Sequence, residues 1–153
     1  MPIEKVISGA QTGADQGGLD FAIDHRIAHG GECPKGRRSD NGRIHDRYHL
    51  TENQSWRYDK RTEVNVRNSD ATVIFQWNPK SPGSVLTANL CWAFGKPCLS
   101  ITTRDVSAAE NEFRRWVSVT SIKILNVAGN RERTAPGINQ FVKDVLTRCQ
   151  DLF

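Results

Sequence analysis

The sequence predicts an α/β protein, a three-layer Rossmann-like domain with a mainly parallel central sheet and helices on both faces. Short apolar segments alternate with helical segments, and glycine-rich or polar loops follow several of the apolar ones. This alternation is typical of βαβ units, whose right-handed crossovers cover both faces of a parallel sheet. With 153 residues the chain has the length of one typical domain, so we expect a single domain over residues 1–153.

Four short apolar segments predict the strands: residues 5–8, 71–76, 99–102 and 122–127. After the first strand, Leu19, Ala22, Ile23 and Ile27 recur at helical spacing, and residues 29–31 are expected to close that helix. Residues 34–53 are polar and have no periodicity, which predicts a long loop that is functional or mobile.

Four further helices are predicted after this loop. Residues 57–68 form a weakly amphipathic helix, whereas residues 84–94 are apolar around most of the helix and are expected to be buried. The last two helices carry clear apolar faces: Ala109, Phe113, Trp116 and Val117 in one, and Ile138, Phe141, Val142, Val145, Leu146, Cys149 and Leu152 in the other. Thr134 is the candidate N-cap of the last helix.

Composition argues against disorder and against a membrane-spanning helix. Hydrophobic residues make up 37% of the chain and charged residues 25%, a balance typical of a folded domain. No run approaches 18 apolar residues, and the first ten residues lack the features of a signal peptide. We expect a cytoplasmic protein that does not enter a membrane.

Cysteines and histidines do not form a metal-binding pattern. The four cysteines, at positions 33, 91, 98 and 149, include no Cys-x-x-Cys pair. His25 and His29 stand four residues apart on the predicted first helix, but no third ligand has matching spacing. We expect no metal held by protein side chains.

Positive charge begins abruptly at Lys35. The net charge is +4, and residues 35–67 hold nine basic and five acidic residues, while residues 1–34 hold two and five. Such a segment suits an anionic small molecule, nucleic acid or simply a solvated surface. The chain lacks a long basic run and an aromatic–basic repeat, which argues against nucleic acid.

The loop after the first strand is the first candidate binding site. It contains Gly9, Ala10, Gln11, Thr12, Gly13 and Asp15. Glycines let backbone N–H groups approach an anion, and the start of the following helix adds partial positive charge. The spacing is neither G-x-G-x-x-G nor a Walker motif, so dinucleotide and P-loop chemistry do not follow. The alternative is a tight turn in which Asp15 caps the helix.

Two further loops follow predicted strands and should lie at the same edge of the sheet. Gly83, Ser84 and Thr87 offer backbone and hydroxyl donors, although a Pro-Gly turn with Ser84 as N-cap explains them equally well. After the last strand, the candidates are Asn126, Gly129 and Arg131. A guanidinium there suits phosphate or carboxylate recognition, and the alternative is that Arg131 and Arg133 are simply a pair of exposed arginines.

A fourth candidate group lies on the helix over residues 57–68. Arg61 and Asn65 are one turn apart and Thr62 adjoins them, so a cation, a hydroxyl and an amide share one face unless nearby carboxylates pair with the arginine. No Ser/His/Asp or Cys/His arrangement and no pair of carboxylates can be nominated for catalysis. We therefore name no catalytic residue and favour a binding protein.

Several blocks of the sequence resemble the family named "putative molybdenum carrier". They are residues 6–20 (VISGAQTGADQGGLD), 30–38 (GGECPKGRR, which ends at Arg38), 61–66 (RTEVNV), 69–72 (SDAT), Thr87 and 125–129 (LNVAG) with Arg131. The resemblance implies a Rossmann-like domain related to the lysine decarboxylase-like phosphoribohydrolases. It also implies binding of molybdenum cofactor (molybdopterin) or a related phosphorylated ligand, in oligomers that protect the cofactor and transfer it to molybdoenzymes.

The sequence departs from these relatives at several positions. Ala10 and Ser84 stand where glycines are usual, Asn130 replaces a proline, and Arg133 replaces a small hydroxyl residue. In the block Pro-Gly-Gly-x-Gly-Thr-x-x-Glu of the phosphoribohydrolases, Leu90 occupies the place of the catalytic glutamate. We therefore favour a non-catalytic carrier of a phosphorylated pterin or nucleotide. The alternative is a nucleotide-binding enzyme or sensor, such as an N-glycosidic hydrolase.

Residues 84–94 also predict self-association. A helix that is apolar nearly all round must be covered on more than its sheet-facing side. A homodimer or homotetramer with Leu86, Leu90 or Phe94 near the interface would cover it. The alternative is a helix buried inside one subunit.

Overall fold

The computed structural model describes residues 2–153, and within them a five-stranded parallel sheet forms the centre of the molecule. The strands are β1 (Lys5–Ile7), β2 (Ala28–Gly30), β3 (Glu32–Cys33), β4 (Arg38–Ser39), β5 (Gly42–Arg43), β6 (Thr51–Glu52), β7 (Ala71–Phe75), β8 (Cys98–Ile101) and β9 (Ile124–Gly129). The central sheet has the order β2-β1-β9-β7-β8, and its pairs are all parallel. β3 pairs with β6 and β4 with β5 in two small separate ladders.

Five α-helices in the described residues complete a three-layer α/β fold, as predicted. They are α1 (Ala14–Asp24), α2 (Tyr58–Asn68), α3 (Pro82–Ala93), α4 (Val106–Ser118) and α5 (Ile138–Arg148), followed by a short 3-10 turn at Gln150–Leu152. α1, α4 and α5 pack together on one face of the sheet, and α2 and α3 pack together on the other. No helix among residues 2–153 is both long enough and apolar enough to cross a membrane.

The main hydrophobic core lies between the sheet and the three helices α1, α4 and α5. Alternate residues of β7 and β9, such as Val73, Phe75 and Val127, point into it, and they meet Phe113 of α4 and Val142 of α5. The opposite face of the same strands is more polar, since the Asn126 amide there donates to Thr72 Oγ1 at 3.2 Å. The polar face therefore lies under α2 and α3, beside the edge where ligands are expected.

The prediction for the end of the first helix is wrong. α1 ends at Asp24, so Ile27 lies beyond it, and the residues expected to close the helix instead enter the short strand β2. Arg26 adopts a left-handed conformation with φ 56°, and the Ile27 amide bonds back to Ala22 O. This reversal turns the chain early enough for β2 to pair with β1.

The prediction for the start of the last helix is also wrong. α5 begins at Ile138 after Gly137, and Thr134 is not its N-cap. The carboxylate of Glu132 accepts from the amides of Gly137 and Asn139, at 2.6 and 3.1 Å, and thus takes the capping role. The predicted apolar face of this helix is buried, apart from the partly buried Leu152.

Residues 34–53 form the predicted long loop, but the loop is organised by its own contacts. A second hydrophobic cluster, here called the loop cluster, joins it to α1 and consists of Ala10, Leu19, Cys33, Ile44 and Tyr48. The guanidinium of Arg37, 8% exposed, donates to the carbonyl oxygens of Ile44, His45 and Tyr48. One buried arginine thus satisfies backbone groups that no regular structure pairs.

The alternative in which α3 is buried inside one subunit is wrong. Among its residues only Ser84, Thr87 and Cys91 are buried, whereas Trp92 is 88% exposed and Val85 43% exposed. α3 packs on β7, β8 and β9, and its main helical neighbour among the described residues is α2. Its outward side therefore has no covering element in the described chain.

Candidate functional site

A cavity of about 300 Å³ opens at the carboxyl edge of the central sheet. Its lining residues are Gln11, Asp15, Tyr58, Arg61, Thr62, Ser81, Pro82, Gly83, Leu86, Thr87, Ala128, Gly129, Arg131, Arg133 and Thr134. The chain leaves β9 toward α5 on one face of the sheet and leaves the neighbouring strand β7 toward α3 on the other. The cavity therefore lies at the point where the connections diverge, the usual ligand position in open α/β sheets.

A buried ion pair forms the floor of the cavity. Arg61 Nη1 lies 3.5 Å from Asp15 Oδ2, and the two side chains are 12% and 6% exposed. Burial raises the pKa of Asp15, and the positive charge of Arg61 opposes that rise. Burial likewise lowers the pKa of Arg61, opposed by the Asp15 charge. Each charge therefore offsets part of the cost of burying the other.

Two buried polar atoms beside this pair have no hydrogen-bond partner among the described residues. They are Gln11 Oε1 and Arg61 Nε. The rest of the Gln11 side chain is fixed, since its Nε2 donates to Arg38 O at 2.8 Å. A buried donor and a buried acceptor without partners are costly, and such atoms are typical of ligand sites.

The ring of Tyr58 lies close to three guanidinium groups, and two of them, those of Arg61 and Arg131, line the cavity. The central carbons of Arg131, Arg38 and Arg61 lie 4.5, 4.8 and 5.9 Å from the centre of its ring. These arginines come from the loop after β9, from β4 and from α2. The negative face of the ring attracts each cation and so offsets part of their mutual repulsion.

The start of α3 forms the opposite wall. Pro82 occupies its first position, no side chain caps its first turn, and no acidic residue is present there. A Cβ at Gly83 would meet nothing within 4 Å, so the backbone at this position faces open space. The first N–H groups of a helix have no partner within the helix and carry partial positive charge. This wall therefore favours an anion.

The mouth of the cavity is closed on one side by an ion-pair cluster. Asp40, between β4 and β5, lies 2.8 Å from Arg131 Nη1 and 3.4 Å from Arg133 Nε. Asp40 itself does not line the cavity, whereas both arginines do. Within residues 2–153, no group of three or more His, Cys, Asp or Glu side chains is placed to hold a metal ion.

The family model of the circularly permutated YpsA SLOG family matches residues 6–150. The chain belongs to this family. Its fold matches the crystal structure at 1.45 Å resolution of a protein from Syntrophus aciditrophicus SB, named "Putative molybdenum carrier protein". The two are 42% identical, with a TM-score of 0.92, over 95% of this chain and 94% of the other. No curated protein matches the chain. The resemblance drawn from the motifs is thus confirmed.

About half of the site residues predicted for this SLOG-family chain line the cavity. They are Gln11, Asp15, Arg61, Gly83, Thr87, Gly129 and Arg131. The hydroxyl of Thr87 donates to Gly83 O at 2.8 Å, so it also fixes the first turn of α3. The four loops and helices singled out from the sequence do meet at one place.

Four predicted residues are used in contacts outside the cavity. Asn65 is bonded to both backbone groups of Glu32, and Asn126 is bonded to Thr72. Ser84 Oγ receives the Asn130 amide at 3.2 Å. Arg38 donates to Trp56 O and stacks on the rings of Trp56 and Tyr58, and it does not line the cavity. Each holds two segments of the chain together.

The glycine-rich turn after β1 is covered by other parts of the SLOG domain. The Arg61 guanidinium lies on the backbone of Gly9, where a Cβ would collide with it. A Cβ at Gly13 would lie 2.6 Å from the amide nitrogen of Glu132. The amide of Gln11 donates to Asp15 Oδ2 at 3.2 Å. Gly9, Ala10, Thr12 and Gly13 do not line the cavity, and close packing explains both glycines.

Sequence reasoning missed Tyr58 as a site residue. The signal was its position: residues 58, 61 and 62 recur at i, i+3 and i+4, which puts the ring on the helix face that carries Arg61. Leu86 and the loop residues Ser81 and Thr134 also line the cavity and were missed. No sequence pattern distinguishes them from ordinary loop and helix residues.

Proposed function

We propose that this chain is a non-catalytic binding or carrier protein for molybdenum cofactor or a similar phosphorylated pterin or nucleotide. The observation that carries the proposal is the charge of the cavity. Arg61, Arg131 and Arg133 line it, while Asp15 is the single carboxylate among its described lining residues. An excess of guanidinium groups beside the first turn of a helix favours a phosphate group.

The cavity offers chemical groups that suit each part of such a ligand. The phosphate would lie between the first turn of α3 and the guanidinium of Arg131. A planar ring would pack against Tyr58 and Leu86, and its polar edge would meet the acceptors of Gln11 and Asp15. Molybdenum cofactor, when bound, supplies the metal through its own pterin, so the protein needs no ligands for it. Molybdoenzymes in the cytoplasm would receive the cofactor.

One observation favours the alternative of an N-glycosidic hydrolase. Asp15 is a buried carboxyl in the cavity with a raised pKa, a property of many general acids. Against it, Asp15 accepts from the Gln11 amide and lies beside Arg61, and Leu90 stands in place of the relatives' glutamate. The two functions differ in whether a bound nucleotide is consumed.

Mass spectrometry of the purified protein tests the carrier proposal. We expect a copurifying phosphorylated pterin or nucleotide that is lost in Arg131→Ala. Calorimetric titration with pyrophosphate and adenosine monophosphate should show binding without release of adenine. Release of adenine that Asp15→Asn abolishes would favour the hydrolase, and absence of any ligand and of any phosphate binding would refute both functions.

The exposed side of α3 supports a homodimer or homotetramer. Residues 81–95 contain no charged side chain, although a quarter of all residues in the chain are charged. Val85, Ala88 and Trp92 lie on one exposed face at i, i+3 and i+7. Leu86 and Leu90 are partly buried, while Phe94 is 37% exposed beside this face. Light scattering tests the proposal, and a mass near 17.2 kDa at micromolar concentration would refute it.

A further inference from the structure

The hairpin formed by β4 and β5 carries a carboxylate to the mouth of the cavity. Asp40 at its tip contacts both Arg131 and Arg133, which approach its two oxygens separately. Its side chain is only 16% exposed, although the residue stands at the tip of a surface hairpin. One carboxylate thus engages two of the guanidinium groups that line the cavity.

Among the described residues, the hydrogen bonds and ion pairs that join the tip to the rest of the molecule are those of Asp40. In the described chain, the other hydrogen bonds of residues 39–42 stay inside the hairpin: Ser39 Oγ bonds to Gly42 O and to the Asn41 amide. A Cβ at Gly42 would meet nothing within 4 Å, so no neighbour packs against that position. Loss of the Asp40 contacts would therefore free the tip.

The base of the hairpin is held independently. Next to β4, the buried Arg37 donates to three backbone carbonyls, and the Ile44 amide after β5 donates to Arg37 O at 2.7 Å. The Arg38 carbonyl accepts from Gln11 Nε2. Movement of the tip therefore does not require the loop cluster to open.

The carboxylate and the expected ligand compete for the same donors. An arginine fork binds a carboxylate and a phosphate in similar geometry, and phosphate brings a larger charge and a third oxygen. A phosphate held between α3 and Arg131 draws that guanidinium away from Asp40. Because Arg133 contacts the same carboxylate, both donors become available together.

We propose that the Asp40 carboxylate competes with the anionic group of the ligand for Arg131 and Arg133. Arg131 and Arg133 form an anion subsite for a phosphate or diphosphate group; in the free protein the Asp40 carboxylate pairs with both guanidinium groups, and the ligand displaces it. This proposal rests on the proposed function, because it takes the cavity to be a phosphate-binding site.

Calorimetric titration of the full chain with pyrophosphate, at constant ionic strength, tests the competition. Asp40→Asn should bind about fivefold more tightly than the unaltered protein, the scale expected when a carboxylate that forms partly exposed ion pairs with Arg131 and Arg133 loses its charge. Asp46→Asn is the matched control, since it removes the same charge from the same loop and breaks only the exposed Arg43–Asp46 pair. Its affinity should change less than twofold. An affinity of Asp40→Asn that equals or falls below that of the unaltered protein would overturn the proposal.

Hydrogen exchange on the unaltered protein gives a second readout that needs no variant. Saturating pyrophosphate should speed exchange of the amides at residues 39–42, while slower exchange there would mean that the ligand closes the tip and would overturn the proposal. Binding without an effect of Asp40→Asn removes this inference and leaves the proposed function intact. Absence of binding to the unaltered protein and to Asp40→Asn alike removes both.

Discussion

Replacement of Arg61 by Met tests whether the cavity floor depends on a buried charge pair. Methionine has a similar length, so the change removes the guanidinium from above Gly9 and leaves the Asp15 carboxylate buried beside the Gln11 amide. Both side chains of the pair are nearly inaccessible to water, so solvent screens them little. Removal of one partner of a buried pair costs about 3–5 kcal/mol. This is a large part of the 5–15 kcal/mol that stabilises a typical domain.

The stability lost in Arg61→Met should depend on pH, and the direction of this dependence follows from the pKa of Asp15. Burial already raises the pKa of Asp15, and removal of Arg61, its largest opposing influence, raises that pKa further. A carboxyl with a folded pKa above its unfolded pKa of about 3.9 binds a proton on folding. The free energy of unfolding therefore falls as pH rises from about 4 through the folded pKa. Arg61→Met should lose less stability at pH 4.5 than at pH 7.5.

Urea unfolding at these two pH values measures the effect. The control is Arg57→Met at the start of the same helix, which breaks an exposed pair with Asp59 at 2.8 Å. Exposed pairs contribute at most about 1 kcal/mol, so this control should differ little from the unaltered protein at either pH. A loss below about 1 kcal/mol for Arg61→Met at pH 7.5, or a larger loss at pH 4.5, would refute the reasoning.

Three further predictions concern the cavity and α3. Gly129→Ala should lower the free energy of unfolding, measured by thermal unfolding, by about 3 kcal/mol or more, because φ is +151° and a Cβ would collide with Phe75 O. The control Gly83→Ala should change stability by no more than about 1 kcal/mol, because its Cβ would meet nothing within 4 Å. Arg131→Ala should weaken pyrophosphate binding by tenfold or more in calorimetry, since a charge-assisted contact contributes about 1.5–3 kcal/mol, and unchanged affinity would remove it from the site. Trp92→Asp should give a folded monomer by light scattering and circular dichroism, and an unchanged oligomer would exclude this face as the interface.

The fold could be predicted because its signals are local. Five consecutive buried residues in β7 and the regular apolar face of α5 identify a strand and a helix without knowledge of their partners. The boundaries at Arg26 and Glu132 could not be predicted, because a left-handed residue and a distant carboxylate set them. The apolar character of α3 indicated that the helix needs a cover, but sequence does not say whether that cover belongs to the same chain.

The position of the site in the fold could be predicted from the sequence, but not which side chains of each segment face the cavity. Loops that follow parallel strands meet at one edge of the sheet, which placed the Gln11, Gly83 and Arg131 segments together. Which side chains face the cavity depends on contacts across the sequence. Arg61 covers the backbone of Gly9, 52 residues earlier, and Asn65 is bound to Glu32. Because Arg61 covers Gly9, this glycine allows close packing and does not let a ligand approach the backbone.

Because the loop cluster is separate from the main core, local unfolding of the loop and global unfolding of the sheet should require different free energies. α1 contributes Phe21 to the main core and Leu19 to the loop cluster, so the helix is shared by two hydrophobic groups of very different size. We therefore expect residues 34–53 to detach as one cooperative unit, with Arg37 and Tyr48 released together, while the central sheet stays intact. Brief proteolysis under native conditions would then nick this segment first and leave two fragments that remain associated through the sheet.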